Sequence, residues 1–351
     1  MVSVNASYCS VQSIRKRMGP SGGGQESQAV LGKFLGTGPL LWPFSGMTIL
    51  RVRHTSTYAY SKPVGFGQHR LMFRPRDSYD QRLLSTALSV SPNPKEVKWM
   101  LDPFGNCVTA VTFDSMATEL RFETEITVDH RPSAGPDFSI DTSAKTWPLL
   151  YPEGMVPDLA PCIRVHHPST ELEKWARGFT RAGMETELGH LLMTMTVGIK
   201  ESFVYSRRMT PGTQAPELTL SQRKGTCRDF AWLMIEACRA LGLAARFVTG
   251  YVYVPTRDGK FLRGGGATHA WVQVFLPGAG WLEFDPTNGI LGSRDLIRVG
   301  VAREPSQARP LTGNFIGSRD SYMGMKVEVN VSSIPDRSNR LPSTENDVSS
   351  T

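Results

Sequence analysis

The chain has 351 residues, 40% of them hydrophobic and 20% charged, with 39 Lys and Arg against 32 Asp and Glu for a formal charge of +7. This is enough apolar material for one large domain or two to three ordinary ones, and it excludes wholesale disorder. The longest unbroken apolar run falls far short of the roughly 18–20 residues of a membrane span, and the basic residues form no Lys/Arg block, so neither a membrane nor a nucleic-acid partner is expected. Five cysteines (Cys9, Cys107, Cys162, Cys227 and Cys238) stand at irregular spacings without a C-x-x-C pair. A disulfide framework or zinc knuckle is therefore not expected, and a reducing, cytoplasmic compartment is.

Residues 1–46 read as a disordered extension: Arg15, Lys16 and Arg17 are followed by Met18-Gly19-Pro20 and a glycine run, not by the apolar stretch of a signal peptide. Residues 47–131 read as a small antiparallel β-domain. Its clearest piece is Thr118 to His130, where Leu120, Phe122, Thr124, Ile126 and Val128 alternate with charged and polar residues. Further strands are predicted at Ile49–Tyr60, Gly67–Arg76, Lys95–Leu101 and Asn106–Phe113, the last two around the turn Asp102-Pro103-Phe104-Gly105. His54, His69 and Asp77 read as isolated polar residues on an exposed sheet face. Seven prolines between residues 132 and 168 predict an extended connector, with His166 and His167 as a loop pair.

After Pro168 the period becomes helical. Thr170 and Glu173 read as a capping box ahead of Leu172, Trp175, Ala176 and Phe179. A second helix is predicted from Thr186 to Phe203. A Pro/Gly-rich loop follows, then a third helix from Cys227 to Leu241, stopped by Gly242. Strands are predicted at Ala244–Val254, Ala267–Phe275 and Trp281–Asp285. Helices followed by an antiparallel sheet make residues 169–331 an α+β core, with a disordered tail over residues 332–351.

The chemistry concentrates in this core. Cys227 opens the third helix, where unpaired N–H groups and the positive end of the helix dipole favour the thiolate, the nucleophilic form. His269 opens one strand of a hairpin and Asp285 closes the other, which brings them to one sheet edge; counting residues leaves open whether they share a face. An imidazole held by a carboxylate and facing a thiol is an arrangement for nucleophilic acyl transfer. Cys238, further along the same helix, reads as core, and Trp271 and Trp281 as hairpin packing.

The segments Arg223-Lys224-Gly225-Thr226-Cys227-Arg228-Asp229, Leu241 to Tyr251, Thr268-His269-Ala270-Trp271-Val272 and Phe284-Asp285-Pro286-Thr287-Asn288-Gly289 resemble the transglutaminase-like superfamily, and closest its prokaryotic members with an N-terminal β-domain. The resemblance spans roughly residues 47–331. It implies a papain-like α+β core, helices packed on an antiparallel sheet, with Cys227, His269 and Asp285 as catalytic residues. It also implies an acyl-enzyme formed from a peptide or protein substrate, resolved by water or by an amine. Hydrolysis is the expectation, with transamidation, or a non-catalytic binding module of the same fold, as alternatives. Trp232 departs from the His often found there. No acidic loop of the calcium-dependent type is present, so no metal or other cofactor is expected. The sequence does not specify an oligomeric state.

Overall fold

The computed structural model of the protein describes residues 48–131, 139–206, 212–254 and 267–334; the extension, most of the tail and residues 132–138 of the connector lie outside them. The N-terminal strands are β1 (Thr48–Phe66), β2 (His69–Leu71), β3 (Gln81–Ser91), β4 (Glu96–Leu101), β5 (Cys107–Thr112) and β6 (Ala117–His130). The period-two pattern of β6 does what it predicts: Leu120, Phe122, Thr124, Ile126 and Val128 are buried, while the residues between them face outward. β3, β6 and β1 pair in that order, and β4, β5 and β2 form a second sheet. Tyr60, Phe66, Leu71, Phe73, Val111 and Phe122 share an apolar cluster between them.

The core consists of helices α1 (Val156–Ile163), α2 (Thr170–Arg177), α3 (Leu188–Ser202), α4 (Pro216–Gln222) and α5 (Cys227–Ala240), and strands β7 (Ala245–Val252), β8 (His269–Leu276), β9 (Gly280–Asp285) and β10 (Leu296–Ala302). The strands form one antiparallel sheet in the order β9, β8, β7, β10. Helix α5 is apolar almost all round because it is central: β7 and β8 lie against it, as do α2 and α4. Its N-cap is Thr226, in a capping box with Asp229. It ends in a Schellman turn, Leu243 N–H donating to the Cys238 carbonyl (2.9 Å) and Gly242 N–H to that of Arg239 (2.9 Å), with Gly242 at φ +79°. The last turn carries a fully buried ion pair, Arg239 Nη1 to Glu236 Oε1 at 2.6 Å. Arg239 also donates to the carbonyls of Cys162, Ala245 and Arg303, while Glu236 accepts from the backbone N–H of His166 and His167. α5 is thereby tied to the segment before α2, to β7 and to the segment after β10.

A last strand, β11 (Tyr322–Ile334), leaves the core and pairs antiparallel along β1, on the side away from β6. The core boundary at 331 and the tail from 332 are thus corrected: residues 322–334 belong to the N-terminal sheet. Other expectations also change. The connector is not simply extended, since it contains α1, whose Pro157 stands in the first turn where no N–H is needed and whose Pro161 forfeits one bond in a short helix. The loop before Cys227 contains α4, opened by Pro216. The N-cap of α2 is Ser169, its side chain accepting from Leu172 N–H, and not Thr170. The strand predicted over Gly67–Arg76 is only His69–Leu71 long, and β3 was not predicted.

His54 and His69 are not on an exposed face; they are 1% and 4% exposed. His54 Nδ1 meets the Tyr251 hydroxyl at 2.9 Å and Nε2 meets Ser56 Oγ at 2.9 Å, joining β1 to β7. Burial lowers the pKa of His54 to about 4, so it is neutral near pH 7. Two more contacts fix the β-region to the core: Asn106 pairs with both backbone groups of Val301, and Arg298 bridges Asp80 (2.9 Å) and Glu283 (2.6 Å).

Candidate active site

The core sheet settles the face that residue counting left open. β8 and β9 pair with Val272 opposite Phe284 and Leu276 opposite Gly280. Continued beyond Val272, that ladder sets Trp271 opposite Asp285. His269, two residues before Trp271, then shares a face with Asp285 and reaches it diagonally, with no bulge. His269 Nε2 and Asp285 Oδ2 are 2.8 Å apart, and both side chains are fully buried.

Asp285 is held from several directions. Its Oδ1 accepts from the backbone N–H groups of Thr287 (2.9 Å) and Asn288 (3.3 Å), and its Oδ2 from Asn288 Nδ2 (2.7 Å) as well as from the imidazole. The carboxylate thus orients itself through its own turn, Asp285-Pro286-Thr287-Asn288, before it orients the histidine. Burial alone would raise its pKa; the imidazolium and these donors outweigh that and lower it. For His269, burial opposes protonation, but the Asp285 charge and hydrogen bond, with the Cys227 thiol acting on the same ring, raise its pKa to about 10. The site therefore favours an imidazolium. Nδ1 makes no other hydrogen bond, which leaves it as the atom able to exchange a proton with the thiol.

Cys227 stands at the first position of α5, 7% exposed, where its N–H has no carbonyl within the helix to bond. The turn ahead of it is fixed by Asp229. Besides capping Thr226 N–H at 2.8 Å and Thr226 Oγ1 at 2.9 Å, Asp229 accepts from Gln214 N–H at 2.6 Å, so it does more than complement the helix dipole. The Arg228 guanidinium lies within electrostatic reach of Cys227. It stacks over Phe247 at 4.8 Å and donates to the Pro305 carbonyl at 2.6 Å.

Trp271 lies nearly parallel to the His269 ring, centroids 6.0 Å apart, and walls the imidazole off from water. Gly250, opposite His269 in the ladder, makes room for it: a Cβ there would collide with the Ile297 carbonyl oxygen and meet Trp271 at 2.7 Å. Cys238 is core, and burial pushes its thiol up to about 12. Trp232 packs edge-on against His167 and beneath Arg239, as part of the ion-pair cluster. Sequence reasoning missed Asn288. The signal available was an Asp three residues ahead of an Asn within a Pro-containing turn.

A core of helices packed on an antiparallel sheet, with a cysteine at a helix start and a His–Asp pair at the sheet edge, defines the class of papain-like α+β proteins. Residues 173–286 match the transglutaminase-like superfamily, and residues 50–129 match the bacterial transglutaminase-like N-terminal region. The chain belongs to the transglutaminase-like superfamily. It is 29% identical to an uncharacterized protein of Mycobacterium tuberculosis over 82% of this chain and 94% of that one. It is 32% identical over 104 residues to a protein-glutamine gamma-glutamyltransferase of Pseudomonas aeruginosa, covering 27% of this chain and 15% of that one. Its fold is similar to the crystal structure of a candidate cysteine protease from Cytophaga hutchinsonii, with TM-score 0.63 and 22% identity over 83% of this chain and 92% of that one.

Proposed function

We propose that the protein is a cysteine-dependent acyl-transfer enzyme acting on a peptide or protein, with Cys227 as nucleophile, His269 as acid and base, and Asp285 as the group that orients and charges the imidazole. The observation that carries this reading is the buried 2.8 Å bond between His269 Nε2 and Asp285 Oδ2, on a ring that also responds to the Cys227 thiol. His269 takes the thiol proton, and the thiolate attacks a carboxamide or peptide carbonyl. The Cys227 N–H, at the helix start, stabilises the oxyanion. The C–N bond breaks, the amine or ammonia leaves with the proton from His269, and a thioester remains. Water, deprotonated by His269, then gives the carboxylic acid and regenerates the thiol.

Hydrolysis is the favoured fate because water needs no second binding site, whereas an amine wins only when held at a high effective molarity. Transamidation of glutamine is the second reading, favoured by the partial likeness to the gamma-glutamyltransferase. Product mass with a glutamine-containing peptide and excess primary amine separates the two. A carboxylate product supports hydrolysis, and an amine adduct replaces it with transamidation. A Cys227→Ala variant that still turns over either substrate refutes the acyl-enzyme altogether.

A further inference from the structure

β11 lies at an edge. Its inner side pairs with β1 in unbroken register from Ile334 to Gly324, and among the described residues no strand pairs with its outer side. A long regular edge is a template for another strand unless a bulge, a cover or unmatched charges protect it. One face of β11 carries an apolar row: Met323 and Met325, 69% and 52% exposed, then the half-buried Val327, Val329 and Val331. The other face carries the strand's two charges, Lys326 and Glu328, both well exposed and paired with each other along the strand, Nζ to Oε1 at 2.9 Å, so a cross-copy partner exchanges that surface pair for one between chains.

We propose that β11 pairs antiparallel with β11 of a second copy of this chain, with the two-fold axis through Val327. The register follows from charge and alternation. Faces match only when even-numbered residues oppose even-numbered ones. With Val327 opposite Val327, Lys326 of each copy opposes Glu328 of the other, twice by symmetry, and Met325 opposes Val329. Sliding the pairing to the next face-matched register on one side sets Lys326 against Lys326. Sliding it to the other side sets Glu328 against Glu328. Like charges directly opposite destabilise a ladder, so the flanking registers are disfavoured by the same residues that favour this one. A residue-centred antiparallel ladder closes with either alternate set of N–H and C=O groups pointing outward, so the backbone imposes no further condition. The new pair continues the apolar row across the axis and covers Met325.

The other exposed edges fit this role less well. β4 carries Glu96 and Lys98 in the same spacing, but a pairing centred on Val97 sets Pro94, which has no N–H, opposite Met100 and ends the ladder within a few residues. β3 is bulged between Leu83 and Ser85.

The test is sedimentation velocity on the full chain across a concentration series, with Lys326→Glu, Glu328→Lys, and an equimolar mixture of the two variants. Each variant alone sets like charges against each other at both symmetric positions and is expected to weaken the dimer about tenfold or more. The mixture restores two opposite-charge pairs between unlike chains, so it is expected to recover wild-type association as a mixed dimer. Neither a change in local strand stability nor general surface charge produces that recovery. A wild-type chain that stays monomeric at every concentration overturns the proposal. So does a dimer that both variants leave intact, or a mixture that associates no better than its components.

Discussion

Replacing Arg239 with methionine tests what anchors the helix that carries Cys227. The guanidinium donates to Glu236 at 2.6 Å and to the carbonyls of Cys162 (3.0 Å), Ala245 (2.9 Å) and Arg303 (2.8 Å), with none of its side chain exposed. Methionine fills much of the space and supplies no donor. Breaking a buried pair by removing one partner costs roughly 3–5 kcal/mol, and the stranded carbonyls add about 1 kcal/mol or more. A loss of about 4–6 kcal/mol in urea unfolding is expected. Adding Glu236→Gln removes the uncompensated charge but keeps an acceptor for the His166 and His167 N–H groups, so the double variant is expected to recover a large part of the loss. Below the transition, Cys227 alkylation is expected to be unchanged, since Arg239 lies at the opposite end of α5. A loss under about 1 kcal/mol, or no recovery in the double variant, refutes the assignment of this pair as the helix anchor.

Three further outcomes follow from the geometry. Iodoacetamide near neutral pH is expected to modify Cys227 before Cys162 or Cys238, because burial raises the pKa of both of the latter; mass mapping of early adducts checks this, and equal labelling contradicts it. Asp285→Asn removes the charge that raises the His269 pKa, so kcat is expected to fall roughly 10²–10⁴-fold and the alkaline limb of the pH profile to move to lower pH; an unmoved limb means the carboxylate does not act through the imidazole. His54 binds a proton less readily folded, at about 4, than unfolded, at 6.5, so its contribution is fully present above pH 6.5 and is lost as pH falls toward 4. His54→Gln is expected to flatten the fall in stability across that window, and an unaltered slope shows that other groups set it.

The elements legible in the sequence were those whose signals are local. α5 announced itself through Thr226, its apolar run and Gly242, and β6 through a clean period of two. β3 was hidden because Leu83 and Leu84 break the alternation, which the bulge between Leu83 and Ser85 restores in space. α1 was hidden by its prolines. β11 has visible alternation from Met323 to Val331, but its partner is the first strand described, and no local pattern encodes a pairing that distant. His54 was misread for the same reason, since its partner Tyr251 belongs to another sheet. Cys227, His269 and Asp285 could be named because each ends or begins a regular element. The diagonal contact between the last two required the Val272–Phe284 register, and Asn288 became visible only when its amide met the carboxylate.

The pairing of β11 with β1 has a consequence for how the molecule is made. A ribosome releases Ile49 long before Ile334, yet the two are neighbours in the finished sheet. Through nearly all of synthesis, the flank of β1 that β11 will occupy emerges without its partner, while β6 and β3 already cover the other side. The helix bearing the thiol and the hairpin bearing its imidazole and carboxylate are translated within that interval. Loop closure over such a separation adds only slowly to the entropic cost with length, but it comes last. A nascent chain that stops between residues 285 and 322 therefore carries Cys227, His269 and Asp285 together with an open β-edge, which makes termination there a route to aggregation rather than to a smaller folded protein.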